Sequence, residues 1–61
     1  MTKEEYIKKV REIYEKLIKE PKYGFGYFQV RIELINAILD GDKIYPKTCK
    51  ALKEEYRYFI D

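Results

Sequence analysis

Few side chains in this sequence could do chemistry, and they do not combine. Histidine and serine are absent, Cys49 is the lone cysteine, and the other nucleophilic or basic candidates are Thr2, Thr48, lysines and carboxylates. Acid–base catalysis at neutral pH leans on histidine, and nucleophilic catalysis needs Ser, Cys, Thr or Lys beside a positioned base. No such pairing is legible, so an enzyme is not expected. With one cysteine and no histidine a zinc centre is not expected either, and no cofactor motif stands out. The run Tyr-Gly-Phe-Gly-Tyr (23–27) has neither the preceding strand nor the Lys-Ser/Thr of a phosphate loop. Asp40-Gly41-Asp42 lacks the carboxylate ladder of a calcium loop and reads as a helix end with a turn. Cys49 falls on an apolar stripe and reads as a small core residue; the alternative is an exposed thiol forming an intermolecular disulfide.

What remains is the chemistry of contact. Of seven tyrosines and three phenylalanines, seven residues fall in two places: Tyr23, Phe25, Tyr27 and Phe28, then Tyr56, Tyr58 and Phe59. Aromatic side chains supply large contact areas and are enriched at interfaces. Tyr6, Tyr14 and Tyr56 lie on helical stripes and are assigned to the core. Tyr23 and Phe25, between or beside glycines, and Tyr58, off its stripe, are candidates for a binding surface.

A second candidate surface is basic. Lys47, Lys50, Lys53 and Arg57 recur at three- or four-residue spacing, with Lys43 just before them, as a ridge able to contact phosphates. Against it, Glu54, Glu55 and Asp61 share the segment, which holds no Asn, Gln or Ser to read bases. A helix-turn-helix also needs a tighter turn and a shorter helix than this sequence offers. Net charge is only +2 with 39% charged residues, which suits a soluble surface of mixed sign. Nucleic-acid binding is therefore the alternative reading.

The elements that position these residues follow from periodicity. Thr2-Lys3-Glu4-Glu5 is a capping box, and Tyr6, Ile7, Val10, Ile13, Tyr14, Leu17 and Ile18 form an apolar stripe behind it. Glu12–Lys16 and Glu15–Lys19 are favourably oriented i,i+4 pairs. A first helix over about 3–20 ends at Pro21. A second is expected over about 27–40, stopped by Gly41 as a left-handed residue. Pro46 suits the first turn of a third helix over about 46–60, with the stripe Cys49, Leu52, Tyr56 and Phe59, extended by Tyr45. The predicted fold is all-α, a three-helix bundle in a single small domain spanning 1–61.

The middle helix carries most of the information. At about 100° per residue, Gln29, Glu33, Asn36 and Asp40 crowd a sector only about 60° wide. Apart from Arg31 the rest is apolar: Tyr27, Phe28, Val30, Ile32, Leu34, Ile35, Ala37, Ile38 and Leu39. A helix apolar nearly all round is buried on most sides, which is more than two neighbouring helices can cover. The excess calls for another surface: a second copy, a foreign partner, or the aromatic segment 23–28 folded back within the chain. Arg31, in the middle of the apolar arc, must be paired, stacked or snorkelled. Tyr27 or a carboxylate from helix 1 or a partner chain would serve, making Arg31 either a structural ion-pair member or an interface anchor. The expected protein interface is Tyr23, Phe25, Tyr27, Phe28, Arg31, Ile35, Ile38 and Tyr58.

Sixty-one residues bury only about 60% of the unfolded surface, and without disulfides an oligomer or partner is the remaining supplement. No apolar run approaches the roughly 20 residues that span a bilayer, and no secretory pattern follows Met1. A single cysteine fits a reducing cytoplasm. Abundant Lys, Glu, Ile and Tyr suit either a hyperthermophile or an AT-rich genome. The resulting expectation is a non-enzymatic cytoplasmic interaction module, regulatory or inhibitory, such as viruses and mobile elements encode. Its partner would be a protein or a second copy, with no cofactor, metal or membrane; the alternative is a basic nucleic-acid-binding regulator.

Overall fold

Thr2 starts the first helix as the spacing predicts. In the computed structural model, which describes residues 2–60, its hydroxyl accepts the Glu5 amide at 3.2 Å. The return arm of the box differs: the Thr2 hydroxyl also donates to the Glu5 carboxylate, at 3.3 Å. Met1, and Asp61 at the end of the basic segment, lie outside the described residues. Helix α1 spans Lys3–Lys19, with Glu4 and Glu5 in its first turn and Lys16 and Lys19 in its last, matching the helix dipole. Its buried residues are Tyr6, Val10, Ile13 and Leu17. The predicted stripe is wider than this, because Ile7 and Tyr14 lie at the rim and Ile18 is exposed. Lys16 turns from Glu12 toward Glu33 on the next helix, at 3.8 Å.

Helix α2 spans Phe25–Asp40, starting two residues earlier than the spacing predicts. Gly24, in extended backbone, serves as its N-cap, so Phe25 belongs to the helix and not to the connector. At the other end Gly41 has φ −85° and ψ −6°, a right-handed conformation, which corrects the expected left-handed stop. The demand for glycine there is steric: a Cβ at position 41 would overlap the Tyr6 ring. The one positive φ among the described residues belongs to Tyr23, at 67°.

Helix α3 spans Pro46–Glu55 with proline in its first turn, and a short helix α4 spans Arg57–Ile60. The expected third helix is thus divided at Tyr56 (φ −106°, ψ 20°). The Tyr56 amide still bonds to the Leu52 carbonyl, but the Phe59 amide returns to the Tyr56 carbonyl at 2.9 Å, a tighter turn. This break brings Tyr56 and Phe59 together onto Tyr14 of α1, with ring centroids 4.8 and 5.3 Å away.

The fold is a small all-helical bundle in which α2 packs on α1, α3 and α4. Aromatic rings span from α1 to the third segment, including Tyr6 stacked on Tyr45 at 5.9 Å. No charged residue is buried among the described residues. Two polar side chains inside converge on one acceptor: the Tyr6 hydroxyl donates to the Ile38 carbonyl at 2.5 Å, and the Cys49 thiol donates to the same oxygen at 3.2 Å. Ile38 therefore sits at the centre of the core, with no exposed surface.

Candidate functional site

Because α2 is apolar nearly all round, its packing leaves one apolar side outside the core. Val30, Leu34, Ala37 and Ile38 turn inward. Phe25, Phe28, Ile32 and Leu39 remain 91%, 46%, 56% and 47% exposed. With half-buried Ile35 these residues are spaced 3-4-3-4, so they align as one stripe along the helix. A 16-residue helix is about 24 Å long, and the stripe runs its whole length. Residues at such spacing pack well only against another helix or a matching groove.

The aromatic segment before α2 leaves the stripe open. Tyr23 stands 76% exposed beside Tyr27, with ring centroids 6.4 Å apart, and Phe25 is the most exposed large apolar residue. The possibility that this segment folds back to complete a closed core is therefore not realised. Tyr27 lies half-buried against the core, in edge contact with Phe28. Tyr58 on α4 is also exposed, with the Lys22 ammonium 5.9 Å from its ring centroid.

Arg31 borders the stripe on the side of α4. Its Nε donates to the Phe59 carbonyl at 2.5 Å and its Nη2 to the Ile60 carbonyl at 3.2 Å. The guanidinium thus satisfies the carbonyls at the end of α4, a use of arginine that neither Tyr27 stacking nor a helix 1 carboxylate anticipates. Within the chain it joins α2 to the end of α4. On the opposite border stand Gln29 and Asn36, both exposed and both uncharged.

The expected interface set therefore divides. Tyr23, Phe25, Phe28 and Tyr58 are open to solvent, while Tyr27 and Ile35 are half-buried. Ile38 is a correction: fully buried under Tyr6 and Cys49, it cannot meet a partner. Ile32 and Leu39, absent from that set, are exposed on the stripe. Their heptad register with Phe25 and Phe28 was the available signal.

The basic ridge is separate. Lys43, Lys47, Lys50, Lys53 and Arg57 are all exposed, along α3 and its flanks. The described residues contain no group of three or more His, Cys, Asp or Glu able to hold a metal. No described helix is long and apolar enough to cross a membrane. A groove of about 400 Å³ between α1 and the α3–α4 corner is lined by Arg11, Tyr14, Glu15, Glu55 and Tyr56, among others. Arg11 bridges it, donating to Glu55 and to the Tyr56 hydroxyl, each at 3.2 Å.

No protein-family model, curated protein or solved structure matches this chain.

Proposed function

We propose that this protein is a non-enzymatic interaction module that binds protein through the outer stripe of α2. The observation that carries the reading is the run Phe25, Phe28, Ile32, Leu39, a helix-long apolar seam outside a core that is complete without it. Water-exposed apolar surface in such a continuous line costs solubility and invites association, so its presence is best explained by a partner. Phe25, with almost its whole ring in solvent, serves as the anchor that a pocket or facing helix would receive. The module acts by mass action, covering the surface of whatever it binds, which is how a small regulator or inhibitor works. Cys49, buried and held by the Ile38 carbonyl, supports a role in a reducing cytoplasm because it needs no disulfide partner.

A second reading, nucleic-acid binding, rests on the exposure of Lys43, Lys47, Lys50, Lys53 and Arg57 along one segment. One capture experiment separates the two readings. On the protein-binding reading, Ile32→Glu or Phe25→Ala removes capture of a protein partner from host extract, at a cost of about 1–4 kcal/mol for the aromatic truncation. The triple reversal Lys47→Glu, Lys50→Glu, Lys53→Glu then has little effect. If nucleic acid is the ligand, the triple reversal abolishes binding and affinity falls steeply with added salt.

A further inference from the structure

We infer that the occupant of the α2 stripe is a second copy of the same chain, docked antiparallel so that the two stripes form a short two-helix seam. The inference rests on the reading of that stripe as a protein-binding surface and names its partner. Three properties of the stripe select a copy of itself.

The first is pattern. Phe25, Phe28, Ile32, Ile35 and Leu39 follow the alternation that lets one helix interdigitate with another of the same kind. Placing a twofold axis between Ile32 and Ile35 sets Ile32 of one copy against Ile35 of the other, and Phe28 against Leu39. Phe25, overhanging the helix start, then reaches the turn beyond the other copy's α2, where Ile44 is exposed. A twofold interface of this kind is closed, so it yields a dimer and not a filament.

The second is the polarity of the borders. The sequence's only glutamine and only asparagine, Gln29 and Asn36, flank the stripe on its open side. In the antiparallel arrangement Gln29 of one copy lies beside Asn36 of the other, where two amides exchange hydrogen bonds and no charge is desolvated. Of the charges along α2, Arg31 is turned to the α4 carbonyls and Glu33 to Lys16, while at the ends Asp40 and Asp42, with Lys43 after them, follow the stripe and Lys22 precedes it. Antiparallel docking brings the acidic end of each copy to the Lys22 end and the positive helix N-terminus of the other. Parallel docking sets acid against acid and like dipole ends together.

The third is area. With the exposures given above, the stripe offers on the order of 400 Å² of apolar surface per copy, since a whole aromatic side chain carries roughly 150–250 Å². Two copies contribute about 800 Å², and at the roughly 65% apolar share of a homodimer interface the total comes to about 1,200 Å². That is the lower bound for a specific interface.

The test is sedimentation velocity from about 1 µM to about 1 mM on the wild type and on Ile32→Glu, with Gln29→Cys and Asn36→Cys chains mixed for oxidative cross-linking. Concentration-dependent dimerisation of the wild type, weakened at least tenfold in Ile32→Glu, with a mixed disulfide dominating over the two homotypic ones, is the expected result. Homotypic disulfides alone overturn the antiparallel arrangement, and a dimer unaffected by Ile32→Glu overturns the site. A wild-type monomer at every concentration overturns the homodimer. If Ile32→Glu nevertheless loses a host partner that the wild type captures, the protein-binding reading stands without it. If the two capture alike, both fall.

Discussion

Tyr6 occupies the space that a side chain at position 41 would need, and from there its hydroxyl reaches the Ile38 carbonyl. This one relationship ties α1 to the end of α2 and explains both the glycine that ends the helix and the burial of Ile38. Gly41→Ala should force the ring out of place and destabilise the fold by about 2–3 kcal/mol, read by urea unfolding. Tyr6→Phe removes only the donor, and the Ile38 carbonyl keeps the Cys49 thiol and the Gly41 amide. Its cost should be nearer 1 kcal/mol. Equal costs for the two variants would mean that the ring's position matters less than its hydrogen bond.

The same burial sets the alkaline limit of stability. Burial, reinforced by the neighbouring Cys49 thiol, pushes the Tyr6 hydroxyl well above the ordinary value of 10.0, and burial raises Tyr56 as well. A group whose folded-state pKa is raised contributes stability below its unfolded value and loses it as pH rises past that value. Unfolding free energy should therefore be flat up to about pH 10 and fall above it. Tyr6→Phe should flatten the fall, and in a spectroscopic titration Tyr6 should ionise only with unfolding.

Arg31 should behave as a fastener for α4. Arg31→Met keeps the aliphatic stem but strips two donors from the Phe59 and Ile60 carbonyls, with an expected cost of about 1.5–3 kcal/mol. Hydrogen exchange should rise first in residues 57–60. Arg31→Lys should rescue only part of this, because one ammonium cannot reproduce the planar fork.

Tyr23 holds a left-handed backbone that costs a non-glycine residue about 1–2 kcal/mol. Tyr23→Gly should raise stability by about 0.5–1 kcal/mol in thermal unfolding, after the extra chain entropy of glycine is counted. A loss of stability instead would show that the contact with Tyr27 outweighs the strain.

Much of this architecture is legible in the sequence, and the limits have physical causes. Polar and apolar residues contrast sharply around α1, so its buried line of Tyr6, Val10, Ile13 and Leu17 follows from spacing, and only the rim positions Ile7 and Tyr14 and exposed Ile18 are overcounted. In α2 that contrast is missing. The excess of apolar surface is evident from the sequence, but an all-apolar wheel does not reveal which arc faces inward. Ile38 and Ile32 are interchangeable by type and opposite in environment. The division of the third helix at Tyr56 has no local signal, such as a proline or glycine. It arises from contacts remote in sequence: Tyr14 drawing in the rings and Arg31 taking the carbonyls.

The central claim is that the outer stripe of α2 serves binding and not folding. The most direct measurement is dilute-solution urea unfolding of the wild type and Ile32→Glu, paired with an association assay on the same samples. Because Ile32 lies outside the core, the unfolding free energies should agree within about 0.5 kcal/mol while association with protein is lost. An Ile32→Glu chain that unfolds, or one that is stable and still associates like the wild type, would contradict it.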